Sequence, residues 1–328
     1  MTARQLYRNI TIGGVPRNDS LISVDVSESY KQVAARCSIE LSDVSGINLN
    51  QVINIDIGYP DNHEVIFIGY VDDITYTRLP GTYIVTGRDI LKLALEYWLV
   101  SEDLDNPWSR KNIQAENLVR DLLHEAGITN YNGAHVGFTF GVNNDAEFNL
   151  MSVWDAVRTI CHILAYNCWA EGGTVYFDRV FPYPEAGDPI EHSFNVGTGG
   201  NIILVDYEYS TEELRNRVVV FGKDKIHAEV KTSSPYLPPN FYKTAIVSSE
   251  LIETQKMADA SASYNLNLYN KLTETLRVEA EGDPRVRCRD IVGITEPFIG
   301  MSNDKWFVYD VTHRLDDNGY KISMSLSR

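Results

Sequence analysis

The sequence predicts a mainly β protein: two similar small β-barrels with a helix-containing α/β lobe inserted between them. Three observations lead there. The first hundred residues are short β-branched and aromatic runs bounded by Gly, Pro, Asn and Asp. The apolar spacing then changes from two to about 3.6 residues. Finally, a stretch beginning at Ile203 repeats one beginning at Ile22. Residues 1–104 are assigned to the first barrel, 105–190 to the lobe and 191–328 to the second barrel, which a loop and a helix interrupt at about 223–272.

Six strands are expected in the first barrel: "NITIGG", "LISVDVS", "VAARCSIEL", "VINIDIGY", "EVIFIGYVDDITY" and "TYIVTGRD". Alternation is clearest in the fourth, where Ile53, Ile55 and Ile57 share one face and Asn54 and Asp56 the other. Six such strands fit a small barrel or sandwich. In "IQAENLVRDLLHEAGI", Ala115, Leu118, Val119, Leu122 and Ala126 recur at helical spacing, and Gly127 suits the residue just past the helix end. A second helix opens at Ser152, whose hydroxyl can cap, with Asp155 three positions on. Val153, Ala156, Val157, Ile160, Cys161 and Leu164 form its apolar stripe. "NCWAEGGTVYFDRV" reads as two strands joined at Glu171-Gly172-Gly173, and "FPYPEAGDP" closes the lobe as a rigid linker.

"ISVDVSESYKQVAARCSIEL" lies on "ILVDYEYSTEELRNRVVVFG" without a gap. Val24 meets Val205, Asp25 meets Asp206, Ser29 meets Ser210, Arg36 meets Arg217 and Ile39 meets Val220. Further on, "VIFIGYVDDITY" lies on "KWFVYDVTHRL", so that Phe67 meets Phe307, Ile68 meets Val308 and Val71 meets Val311. The larger offset of the second match implies an insertion in the second copy. Residues 223–272 supply it, as the Pro-rich loop "SSPYLPPN" and a polar helix from Thr254 to about Leu272. Three such chains around an axis would make a near-sixfold ring of six like modules, an adaptor between a sixfold and a threefold object.

Composition sets the remaining bounds. At 328 residues, 44% hydrophobic and 23% charged, the chain is of ordinary globular composition with ample material for more than one core. No apolar run approaches the roughly 18–20 residues that span a bilayer, and "MTARQLYRNITIGG" has no signal-peptide core. A net charge of −16 argues against a nucleic-acid-binding face, which needs clustered Lys and Arg. The acidity serves solubility, or a surface that DNA passes without sticking; composition does not choose between them.

No catalytic or metal centre is legible. Cys37, Cys161, Cys168 and Cys288 are scattered without metal-ligand spacing and read as buried hydrophobes; Cys161 and Cys168 fall seven apart on one predicted helix face. The histidines (His63, His124, His135, His162, His192, His227 and His313) are dispersed, with no H-E-x-x-H and no G-x-S-x-G in the chain. "NVGTGGN" lacks the lysine of a phosphate loop and reads as a turn. Glu147 and Asp155 could meet as a carboxylate pair, though sequence proximity is poor evidence for one. No catalytic, cofactor-binding or metal residues and no cofactor are assigned. Nineteen tyrosines and five tryptophans keep a glycan-binding role in view, although buried cores use aromatics equally well.

"EAEGDPRVRCRDIVGI" reads as two strands around the turn "EGDPR", with Gly282 supplying backbone freedom, Pro284 ending ladder pairing and Asp283 bonding local N–H groups. Its arginines are expected at a subunit surface and Cys288 in packing. Together with "NIILVDYEYSTEELRNRVVVFG", the helix leading into "LRVEAEGDPRVRCRDIVGI", and the closing "WFVYDVTHRLDDNGYKISMSLSR", it makes the chain resemble the baseplate hub family of phage tails, also called late control D proteins. The base of type VI secretion spike proteins shares that design.

The resemblance implies a non-enzymatic virion protein at the tail tip, assembled in the host bacterial cytoplasm. It implies a homotrimeric ring between a tail tube or tube-initiator protein and a central spike, with tape measure and wedge proteins as further neighbours. DNA would pass through without specific binding. Because the sequence ends at Arg328, after the last expected strand, spike and cell-wall hydrolase are expected to be separate proteins. The alternative is a tail-tip protein that degrades or binds cell-wall glycans.

Overall fold

The computed structural model describes residues 5–76, 81–101, 106–197, 200–271 and 273–328. The boundary set at 104/105, the helix end set at Leu272 and part of "NVGTGGN" lie outside them. The fold is mainly β, built on one 13-stranded sheet.

All six strands expected in the first half form: β1 (Tyr7–Ile12), β2 (Leu21–Ser29), β3 (Arg36–Leu41), β4 (Val52–Tyr59), β5 (Asn62–Tyr76) and β6 (Tyr83–Asp89). Alternation puts Val24, Val26, Ile39, Leu41, Ile53, Ile55, Ile57 and Val85 into one core and leaves polar side chains on the other face. A short helix, α1 (Leu91–Glu96), leads to the lobe. There α2 (Ala115–Glu125) ends as the sequence requires, with Gly127 at φ 78°. Helix α3 (Val153–Leu164) is capped by the Ser152 hydroxyl, which accepts the Asp155 N–H at 3.0 Å and donates to the Asp155 carboxylate at 2.7 Å.

The lobe hairpin, β7 (Asn167–Glu171) and β8 (Thr174–Asp178), turns on Gly172 and Gly173, both at positive φ, as a two-residue turn of this hand needs. Cys168 lies on β7, beyond the helix end at Leu164, so the expectation of one helix carrying Cys161 and Cys168 is corrected. Strand β9 (His192–Asn195) re-enters the large sheet and β10 (Ile202–Ser210) follows.

Strands β11 (Arg217–Phe221), β12 (His227–Lys231) and β13 (Thr244–Ser248) form a separate three-stranded sheet. Helix α4 (Gln255–Tyr269), capped by Thr254, packs on α3, where the Ser261 hydroxyl donates to the Ile163 carbonyl at 2.6 Å. Val218, Val220, Ala258 and Ala262 thus share a second core with Leu118, Leu122, Val157 and Ile160. The chain then returns to the large sheet as β14 (Thr273–Glu281), β15 (Ile291–Glu296), β16 (Met301–Asp316) and β17 (Gly319–Ser327).

The order of neighbours is β10-β14-β17-β16-β2-β3-β6-β5-β4-β1, with the short strand Val15–Pro16 beyond β1, β15 on β16 and β9 on β15. It contains a repeat: β2-β3-β6-β5-β4 and β10-β14-β17-β16-β15 have the same sequence of antiparallel partners. Register confirms the correspondence of β2 with β10, because Val24 faces Ile39 while Val205 faces Val278, and both pairs of strands carry a bulge at the same place, Leu21/Ser23 and Ile202/Leu204.

Two details of the sequence alignment are corrected. The counterpart of β3 is β14, so Ile39 corresponds to Val278 and Arg36 to Thr275; Val220 and Arg217 lie on β11, in the other sheet. The insertion therefore occupies 211–272. Bulges flanking the long strands also pair Phe67 with Asp304 and Val71 with Val308, three residues away from the sequence match. A period of two matches many registers, and each bulge adds a residue that periodicity does not reveal.

Candidate functional site

The large sheet offers two features a surface protein can use: a polar face and, among the described residues, strand edges that no neighbour covers. On the side away from the core, Asp25, Ser27, Arg36, Ser38, Asp72 and Arg88 of β2, β3, β5 and β6 line a shallow concavity of about 440 Å³. Several basic groups on this face sit against carboxylates, while Arg36 and Arg277 are exposed without an ion pair among the described residues. Arg88 Nε donates to Asp72 at 2.6 Å, Lys321 to Glu279 at 3.0 Å, and Arg314 to Asp316 at 3.1 Å with Asp25 at 3.9 Å. Partial burial works against the Asp72 charge, but Arg88 and Lys92 hold its carboxyl below the usual range. The face is polar and carries both signs of charge, much of it paired.

The turn after β14 joins three parts of the molecule. Its Cys288 N–H donates to Glu28 of β2 at 3.1 Å, and Arg287 donates to Glu64 and to the Val65 carbonyl of β5. Arg289 lies over the rings of Tyr30 and Trp169, the latter from the lobe. Arg287 and Arg289 thus point inward, a correction to their expected surface role; Arg285, paired with Asp283 at 2.7 Å, is the outward one. Gly282 is also explained differently. A Cβ there would lie 2.3 Å from the Tyr320 ring, so packing rather than positive φ requires glycine. His313, wholly buried, meets Tyr320 Oη at 2.7 Å and the Val286 carbonyl at 3.0 Å; burial pushes its imidazole down to about 3, so it stays neutral.

Two carboxylates flank this junction, Asp89 buried and Glu28 half-buried. Glu28 holds the Cys288 N–H, and Asp89 accepts the Ala35 and Leu91 N–H groups at 2.6 and 2.8 Å. Burial raises both carboxyls to about 7 despite these bonds. The native state therefore keeps protons that the unfolded chain has released, so stability present at acid pH is lost as pH rises through the folded values. Thermal melts are expected to fall between about pH 5 and about pH 8, and Glu28→Gln, which keeps an acceptor for Cys288, should flatten that fall. An identical slope in the variant would detach Glu28 from the effect.

Most of the residues weighed as catalytic are held in structural contacts. Asp155 accepts the hydroxyl of the capping Ser152 and pairs with Arg158 at 2.9 Å, while Glu147 is exposed on a short strand. His63 stacks on Tyr7, His135 meets Glu116 at 2.7 Å, and burial lowers the His162 imidazole below its ordinary value. Burial pushes the Cys288 and Cys161 thiols up to about 12, and all four cysteines are unbridged. One donor set escaped sequence reading: ligand atoms of Glu191, His192 and Asp290 lie within 4.8 Å of one another. Nearly a hundred residues separate its halves, which leaves no local signal. One Asp290 oxygen already accepts the Arg287 N–H at 2.6 Å. Among the described residues, no helix is long and apolar enough to cross a membrane.

This architecture is the fold of phage tail proteins. The tail protein from Neisseria meningitidis superposes with a TM-score of 0.72 at 13% identity, covering 98% of this chain and 96% of that one. The prophage MuSo2 tail protein from Shewanella oneidensis gives 0.72 at 12% identity, covering 99% and 98%. An Escherichia coli component of the type VI secretion system gives 0.58 at 9%, covering 97% and 76%. The YQBQ-like family matches residues 186–327, and no curated protein sequence matches the chain. The fold is the one that the resemblance to the baseplate hub family implied.

Proposed function

We propose that this chain is a structural hub of a phage tail, in which three copies form a pseudo-sixfold ring joining a sixfold tail tube to a threefold spike. The observation that carries this reading is the five-strand repeat, which gives one chain two like modules at adjacent positions of a single sheet. In this reading 1–104 and 191–328 supply the ring modules and 105–190 the lobe beside them. The ring surrounds the DNA channel, with the concave polar face turned to the axis, and the protein does no chemistry.

Its partners are a tail tube or tube-initiator protein on one side and a central spike on the other, with tape measure and wedge proteins beyond. It is placed at the tail tip of the virion after assembly in the host bacterial cytoplasm. Mass measurement in solution, alone or with the spike, should give three times the 37.1 kDa chain mass. A stable monomer in the finished particle, or a true hexamer, would overturn the adaptor role, since a hexamer leaves the duplication without a use.

A further inference from the structure

Within one chain, the two modules meet at a single seam: Asp310–Leu315 of β16 pairs antiparallel with Val24–Ser29 of β2, in the register Asp310↔Ser29 to Leu315↔Val24. The repeat assigns each of these strands a counterpart. That of β16 is β5, and that of β2 is β10. Among the described residues, β10 pairs with β14 alone, and the end of β5 pairs with β6 alone. The chain thus carries one filled seam and the two unfilled halves of another.

We propose that Asp73–Tyr76 of one copy pairs antiparallel with Tyr207–Ser210 of the next, in the register Asp73↔Ser210, Ile74↔Tyr209, Thr75↔Glu208 and Tyr76↔Tyr207. The register follows by carrying the internal seam across the repeat: the bulge at Val71/Asp73 matches that at Val308/Asp310, and β10 matches β2 through their shared pairing. This inference rests on the ring reading and supplies its contact.

The side chains on the free edges fit that use. Tyr209 is 70% exposed and Tyr76 62%, and Ile203, Leu204 and Tyr207 are exposed beside them. A long edge strand with apolar side chains in water invites pairing, and soluble proteins cover such edges. The proposed register sets Tyr76 against Tyr207 as a cross-strand aromatic pair.

The occupant is a second copy of the same chain because the complementary half of the seam is on this chain and is not paired within it among the described residues. One pairing of this kind is heterologous, so it closes only as a ring or runs on as a filament. Eight strands per chain lie on the path from β10 to β5. Three copies then close a sheet about 115 Å round, or about 37 Å between opposite backbones before strand tilt widens it.

Disulfide trapping tests the register. Thr75→Cys and Glu208→Cys in one chain place thiols opposite each other across the proposed seam, on the polar face, at the short separation of facing residues. Oxidation of the assembled protein is expected to give covalent species of two and three chains, reverting to single chains on reduction; each single variant should give none. Trimeric mass in solution without cross-linking would overturn the proposed seam and leave the ring reading standing. A protein that stays monomeric at all concentrations would overturn both.

Discussion

Trp306→Ala is expected to lower the unfolding free energy by about 3–5 kcal/mol, measured by denaturant titration. Trp306 is the largest fully buried side chain of the protein. It sits on β16, the strand that pairs with β15, β17 and β2 and so holds both modules together. Its ring stands edge-on to Tyr207 of β10 at 6.2 Å and lies under the Arg328 guanidinium at 4.7 Å. Removing it empties a site walled by strands that their own ladders fix in place, so collapse into the cavity is limited. Trp306→Phe, which refills part of the volume, should cost less than half as much. A loss below about 1 kcal/mol for the alanine variant would contradict the packing described.

Under the proposed ring, Glu40→Lys together with Asp206→Lys is expected to slow DNA ejection about tenfold at low salt in particles that assemble normally, with recovery as salt rises. Both residues lie on strands of the polar face, and the double variant replaces two carboxylates by two cations. Threefold symmetry would put six new lysines around the channel. Each lysine that reaches a phosphate releases counterions, which adds affinity and a salt dependence of about 0.9 in log–log slope per contact. Native Arg88, Lys321 and Arg314 do not act this way because each already lies against a carboxylate. Unchanged ejection in the double variant would mean that channel charge is incidental, while the ring itself would stand.

Strand and helix identity are written in the sequence because they depend on neighbours in the chain. Ile53, Ile55 and Ile57 alternate, and all three are buried; Ser152 and Asp155 are spaced for a cap, and they make it. The offset between Val24 and Val205 was legible for the same reason, since it links two copies of one local pattern.

Pairing was decided elsewhere. "RVVVF" at 217–221 resembles β3 at least as well as "TETLRVEAE" does, yet it is the latter that takes β3's place. Backbone N–H and C=O groups are chemically alike in every strand, so sequence marks which face of a strand is apolar and not which strand lies beside it. Tertiary structure made that choice by burying Val218 and Val220 against α4 in the second core. It likewise brought Glu28 to Cys288 and Glu191 to Asp290, across separations where no periodicity extends. The sequence by itself determined most of the strands and helices and pointed to two copies; only the packed chain added α1 and, in place of part of the expected loop, β12 and β13, and decided that the copies share one sheet, with one seam closed and the matching edges left open.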